Sequence, residues 1–212
     1  MPVMDCEARE VPVEQAAENL RVIRDMMERS TKHSTFSGLS GVLAGSYSII
    51  GALLQWLWIP NAFPLYPIRS FLILWSIVIA CTIGTDFLLT KRKAARVGKT
   101  VRSRLGRQMI LAAGPALFTG ALLTLVFAQM QTFAPIYPLW MLSYGTAICA
   151  VGLFSQKEVS WLGWAFLTAG FVTLALQVVT LRSETVGLAM TALSFGGFHI
   201  VYGIAVSRRD GW

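Results

Sequence analysis

The chain has 212 residues, of which 55% are hydrophobic and only 14% charged, with a mean hydropathy of +0.59. Soluble domains carry about 25% charged residues, so this composition excludes an ordinary soluble domain and points to a helical membrane protein. The formal net charge is +7, but the basic residues lie between apolar runs rather than along one polar face; they read as a topology signal, and no direct nucleic-acid binding is expected.

Residues 1–34 form a polar segment. Its first 18 residues hold Asp5, Glu7, Glu10, Glu14 and Glu18 against Arg9 alone, the reverse of the basic start of a signal peptide. Within it, "PVEQAAENLRVIRDMMERSTKH" (12–33) reads as an amphipathic helix starting near Pro12, with Val13, Ala16, Leu20, Ile23 and Met27 on its apolar stripe. Arg21 with Asp25 and Arg24 with Glu28 are spaced for ion pairs along that helix. The stripe is short for a coiled coil. Leu20, Ile23 and Met27 are candidates to bind a cytosolic protein; docking under the membrane bundle and lying on the headgroups are the alternatives. Mixed charge weakens the last of these.

Crossing the hydrocarbon core takes about 20 apolar residues. Six runs qualify, at residues 36–58, 68–89, 108–130, 137–154, 160–181 and 186–206, and in lipid they must be helices. The expected fold is therefore an all-α bundle of six transmembrane helices over residues 35–206, with a cytoplasmic tail at 207–212. Of 18 Lys and Arg residues, all but Arg69 and Arg182 fall on one side, eight of them in "KRKAARVGKTVRSRLGR" between the second and third spans. That places both termini in the cytoplasm. Trp56, Trp58, Tyr66, Tyr137 and Trp140 fall near the outer ends, where an aromatic belt belongs.

In the first span, Gly38, Gly41, Gly45, Ser48 and Ala52 recur at helical spacing as a stripe of small residues. Helices in lipid associate by close packing, which small residues permit, so the stripe reads as a packing seam within the chain or between copies in a homo-oligomer. Leucine is expected to disrupt assembly at Gly45 and to be tolerated at Val42, which lies off this stripe.

The spans also repeat. "AGSYSIIGALL" from Ala44 matches "AGPALFTGALL" from Ala113, and "PLYP" before the second span matches "PIYP" before the fourth. "LWSIVIACTIG" from Leu74, "LSYGTAICAVG" from Leu142 and "LSFGGFHIVYG" from Leu193 align without gaps, each ending in glycine. The order implies a helical hairpin used three times, with the fifth span the most diverged, and a bundle of approximate three-fold character.

"IRDMMERSTKHSTFSGLSGVLAG" (Ile23 to Gly45) resembles the opening of a family of small bacterial six-span membrane proteins without assigned activity, often encoded beside a winged-helix transcription regulator. The resemblance covers the N-terminal helix and first span, with general topology beyond. It implies a bacterial inner membrane and supplies no catalytic residues.

No catalytic constellation is found: there is no P-loop, HExxH or GxSxG, and no span carries paired carboxylates. Cys6, Cys81 and Cys149 lack metal-ligand spacing. Neither a metal nor a cofactor is expected. Two ionisable groups fall inside spans. Asp86 either pairs with the basic connection near Lys91 or forms a proton or cation site. His199 shares a predicted stripe with Ala189, Ala192, Gly196 and Gly203, about 20 Å from the outer end by helical rise. It is read as a packed neutral histidine, as a ligand or proton-linked site, or as a haem or metal ligand, with His33 too far in depth to be a second axial ligand to haem. The expected function is a non-enzymatic membrane sensor or scaffold for a cytosolic partner, with a small-solute or proton-coupled transporter using His199 as the alternative and an intramembrane enzyme third.

Overall fold

Hydrocarbon offers no hydrogen-bond partners, so long apolar runs resolve their backbone polar groups by coiling into helix. The computed structural model describes residues 15, 18–23, 38–57, 67–96, 104–180 and 183–210; there the chain is all-helical, with no strand. The chain divides into two units, residues 1–33 and 34–212. In the first, residues 18–23 are helical, and Met27 lies outside the described residues.

The second unit contains α1 (Gly38–Leu57), α2 (Pro67–Arg96), α3 (Arg104–Gln129), α4 (Ile136–Gly152), α5 (Lys157–Val179) and α6 (Ser183–Thr191). A π-helical segment, Ala192–Phe198, then leads directly into α7 (His199–Asp210). Among the described residues, five helical stretches are long and apolar enough to cross a membrane, the last being the composite Glu184–Arg208. The sixth apolar helix, α4, has 17 residues, about 25 Å of rise against a hydrocarbon core of about 30 Å. These lengths make the chain a helical membrane protein.

Hydroxyl side chains fit this solvent because they bond the preceding turn. Thr119 and Thr146 face outward, yet their hydroxyls donate to the carbonyls of Pro115 and Leu142 at 2.9 and 2.8 Å. Such back-bonding satisfies a polar group without a second helix. Pro115 removes one backbone donor inside α3. The α3–α4 turn needs a left-handed residue, and Gln131 supplies it with φ 55°. The Thr132 N–H then reaches the Phe127 carbonyl at 3.0 Å and closes the helix end.

Packing runs in one direction around the unit. α2 lies on α1, α1 on the composite α6–π–α7, that composite on α5, α5 on α4, and α4 on α3. The α2 and α3 helices, the two ends of this arc, share no extended interface among the described residues. At the end away from the basic residues, the arc is bridged by Phe71 of α2, whose ring stands edge-on to Phe133 and Tyr137 at 5.6 and 5.9 Å. Phe166, Met141 and Ile136 form the centre of the core.

Ala189 departs from the stripe expected of it. It is exposed, while Gly187, Leu188 and Thr191 before the π segment, Ser194 and Gly196 within it, and Gly203 after it are buried. A π turn holds an extra residue, so a face followed at 3.6 residues per turn slips by about one position across it.

Candidate functional site

The α1 helix carries two contact faces. On the first, a Cβ at Gly38 would meet Gly203 O at 2.5 Å, one at Gly41 would meet His199 O at 3.1 Å, and one at Gly45 would meet Gly196 O at 2.5 Å. These glycines let α1 approach the π segment and α7 backbone to backbone. Ser48 is buried and bonds the Ala44 carbonyl at 3.0 Å. Val42 belongs to this contact as well, because a Cβ at Gly203 would meet Val42 N at 2.6 Å and Val42 Cγ2 at 2.9 Å. It is therefore not a neutral position for a larger side chain.

The second face of α1 meets α2 through polar groups. Ser40 is buried and its hydroxyl donates to the Asp86 carboxyl. Tyr47 and Thr85 hydroxyls lie 3.4 Å apart. Toward the other end, the Gln55 amide joins three helices: it donates to Tyr137 Oη on α4 at 2.6 Å and accepts from Trp75 Nε1 on α2 at 2.7 Å. Sequence reading missed Gln55, an uncharged amide among ordinary apolar residues. Its signal was a two-ended hydrogen-bonding group deep in an apolar run.

His199 opens α7 directly after the π segment. Its Nδ1 lies 2.9 Å from the Phe195 carbonyl, one turn back, and its Nε2 lies 2.8 Å from Tyr144 Oη. A carbonyl only accepts, so Nδ1 carries the proton; in the neutral ring, Nε2 accepts from the tyrosine hydroxyl. The imidazole is held among Tyr144, Phe166 and Phe195, with ring centroids 5.4, 5.3 and 6.2 Å away. Gly196 and Gly203 face α1, whereas the His199 side chain faces α4 and α5.

Asp86 and Tyr202 both act electrostatically on the Tyr144 hydroxyl, so α2, α4 and α7 bring Asp86, Tyr144, His199 and Tyr202 into one neighbourhood. By helical rise, Asp86 stands about 9 Å from Arg92 and His199 about 13 Å from Arg208 along their helices. The arrangement can hold a proton or a small cation beside a carboxylate. It is also a fully bonded histidine in an aromatic cage.

Among the described residues, no group of three His, Cys, Asp or Glu side chains is placed to hold a metal; Cys81 and Cys149 are free thiols. His33 lies outside the described residues. In the first unit, Leu20 and Ile23 are exposed. Comparison with family models, curated proteins and solved structures gives no match for this chain.

Proposed function

We propose that this chain is a six-span protein of a bacterial cytoplasmic membrane, with both termini in the cytoplasm. It acts without catalysis, as a sensor or scaffold whose N-terminal helix binds a cytosolic protein. The observation that carries this reading is the helical run 18–23 of the first unit, in which Leu20 and Ile23, one turn apart, are 67% and 52% exposed. An apolar pair on a helix surrounded by Glu18, Arg21 and Asn19 suits a groove on a protein better than a headgroup layer, which favours a basic face. The basic residues flanking the spans and the resemblance of the Ile23–Gly45 stretch to a bacterial six-span family support the membrane and orientation.

The experiment is site-specific photo-crosslinking in living cells, with the photoreactive residue placed at Asn19. The expected result is one dominant adduct to a cytosolic protein, lost with Leu20→Ser plus Ile23→Ser while the membrane level of the protein is unchanged. Adducts only to lipid, or adducts that the double substitution leaves intact, overturn the reading.

A second reading, a proton- or cation-coupled carrier, is favoured by the convergence of Asp86, Tyr144, His199 and Tyr202. Asp86→Asn in proteoliposomes separates the two: it abolishes coupled uptake in a carrier and leaves the crosslink unchanged in a scaffold.

A further inference from the structure

The internal repeat has a structural counterpart that defines a missing contact. Two seams in the bundle are built alike. In one, Gly196, Ile200 and Gly203 of the composite helix meet Gly45 and Val42 of α1. In the other, Gly145, Cys149 and Gly152 of α4 meet Gly163 and Ser160 of α5. The even-numbered partners are the same positions of the aligned strings from Leu193 and Leu142. The odd-numbered partners correspond as well, with Gly163 taking the place of Gly45 and Ser160 that of Val42. A Cβ at Gly45 would lie 2.6 Å from Ile200 Cγ1, and one at Gly163 would lie 2.6 Å from Cys149 Sγ. The fifth span, the most diverged in sequence, thus keeps the contact register.

The third copy of this seam joins α2 to α3, and in the structure it is open. Its residues are Ile77, Cys81 and Gly84 on α2, with Gly114 and Leu111 on α3. A Cβ at Gly84 or at Gly114 would meet nothing within 4 Å, and Ile77, Cys81 and Leu111 are exposed. The two faces nonetheless fit. In the register of the other two seams a large residue, Ile77, would stand opposite a glycine, Gly114; one level on, Gly84 would stand opposite the large Leu111. Each knob has a hole, as close helix packing in lipid requires.

We propose that α2 closes on α3 along this third copy of the seam, so that the arc becomes a closed six-helix ring. The pivot is the far end, where Phe71 already packs on Phe133 and Tyr137. The other end is tethered: seven residues separate Arg96 from Arg104, a reach of at most about 28 Å. That tether gives the helix of the same chain a far higher local concentration than a helix of another copy. Closure within one chain is therefore the committed form. It rests on neither reading of function above.

The native thiol supplies the test. In the two closed seams, the position equivalent to Cys81 touches the glycine equivalent to Gly114, close enough for a disulfide if both were cysteine. In a chain carrying Cys6→Ser and Cys149→Ala, Gly114→Cys is oxidised in native membranes with copper phenanthroline. The expected product is an intramolecular Cys81 disulfide, mapped by mass spectrometry from the monomer band. Ala116→Cys, about 200° around α3, should give several-fold less. Adding Gly84→Leu, which meets nothing in the open arc, should leave the rest of the bundle folded and reduce the crosslink several-fold by filling the hole for Leu111. Leu111→Trp blocks the same contact from the opposite helix, should Gly84→Leu not fold. Equal crosslinking at 114 and 116, indifference to both blocking variants, or a disulfide between two copies overturns the proposal.

Discussion

The glycines of this bundle offer a matched pair of substitutions, Gly45→Ala and Gly84→Ala. Both put one methyl group into an apolar helix, so their gain in helix propensity, up to about 1 kcal/mol, is common to the two. They differ in what the methyl meets. At Gly45 it would lie 2.5 Å from Gly196 O, 2.6 Å from Ile200 Cγ1 and 3.1 Å from Ile200 N. Two of those atoms are backbone, so relief requires α1 and the π segment to separate. At Gly84 it would meet nothing within 4 Å. Overpacking of this kind costs about 1–3 kcal/mol, and the presence of backbone atoms places Gly45→Ala in the upper part of that range. For a chain of this size each kcal/mol moves the melting temperature by roughly 2–4 °C. Gly45→Ala should therefore melt several degrees below Gly84→Ala in the same detergent, with Gly84→Ala at or above wild type. The assay is fluorescence-detected size-exclusion chromatography after heating. Equal melting temperatures would refute the seam between α1 and the composite helix, whatever the absolute values.

Three further outcomes are expected. His199→Leu, which leaves the Tyr144 hydroxyl without its acceptor, should cost between the bilayer average of about 0.6 kcal/mol and its upper range near 1.7, and His199→Gln less; a larger loss from Gln in thermal melting would contradict the neutral, twice-bonded imidazole. Gln55→Leu severs both of its bonds and orphans Trp75 Nε1 and Tyr137 Oη, so it should destabilise by about 1–2 kcal/mol, read as the shift in melting temperature against the near-neutral lipid-facing control Ile50→Leu. A cysteine at Ser103 should react with an impermeant maleimide only in permeabilised cells, and labelling in intact cells would reverse the assigned orientation.

What the sequence made legible follows from what it encodes directly. Apolar length encodes helix, because lipid leaves no other way to satisfy the backbone, and the six apolar runs all coincide with described helices. Small residues encode close approach, but their spacing does not name the neighbour. Gly45 and Gly114 hold the same place in matching strings, yet one is pressed against Gly196 and the other meets nothing. The difference lies in whether a helix is packed on that face, which the spacing of small residues does not encode. The polar bridges were legible least. Gln55 carries no charge and Ser40 is one serine among several, so neither differs in composition from neighbours that merely bond their own helix. Their role appears only when α1 is set beside α2 and α4.

His199 shows how counting along one stripe misplaces a side chain. Counted at 3.6 residues per turn, it falls on the stripe of Gly196 and Gly203 and would face α1. In the structure its neighbour Ile200 occupies that contact, packing on Gly45, while the imidazole turns to Tyr144 and Phe166. The extra residue of the π segment alters the relation between the two ends of the helix, and Gly196 and Gly197 inside it tolerate the wider turn. The carbonyl one turn back, Phe195 O, becomes the acceptor for Nδ1–H, which fixes the tautomer and leaves Nε2 as an acceptor toward α4. Cys149 holds the equivalent contact in α4, an uninterrupted α-helix, so this placement belongs to the seam register, and it leaves the histidine beside Tyr144, whose hydroxyl also feels Asp86. Any change in the protonation of His199 must reverse the sense of its bond to Tyr144, and the tyrosine proton would then need another acceptor.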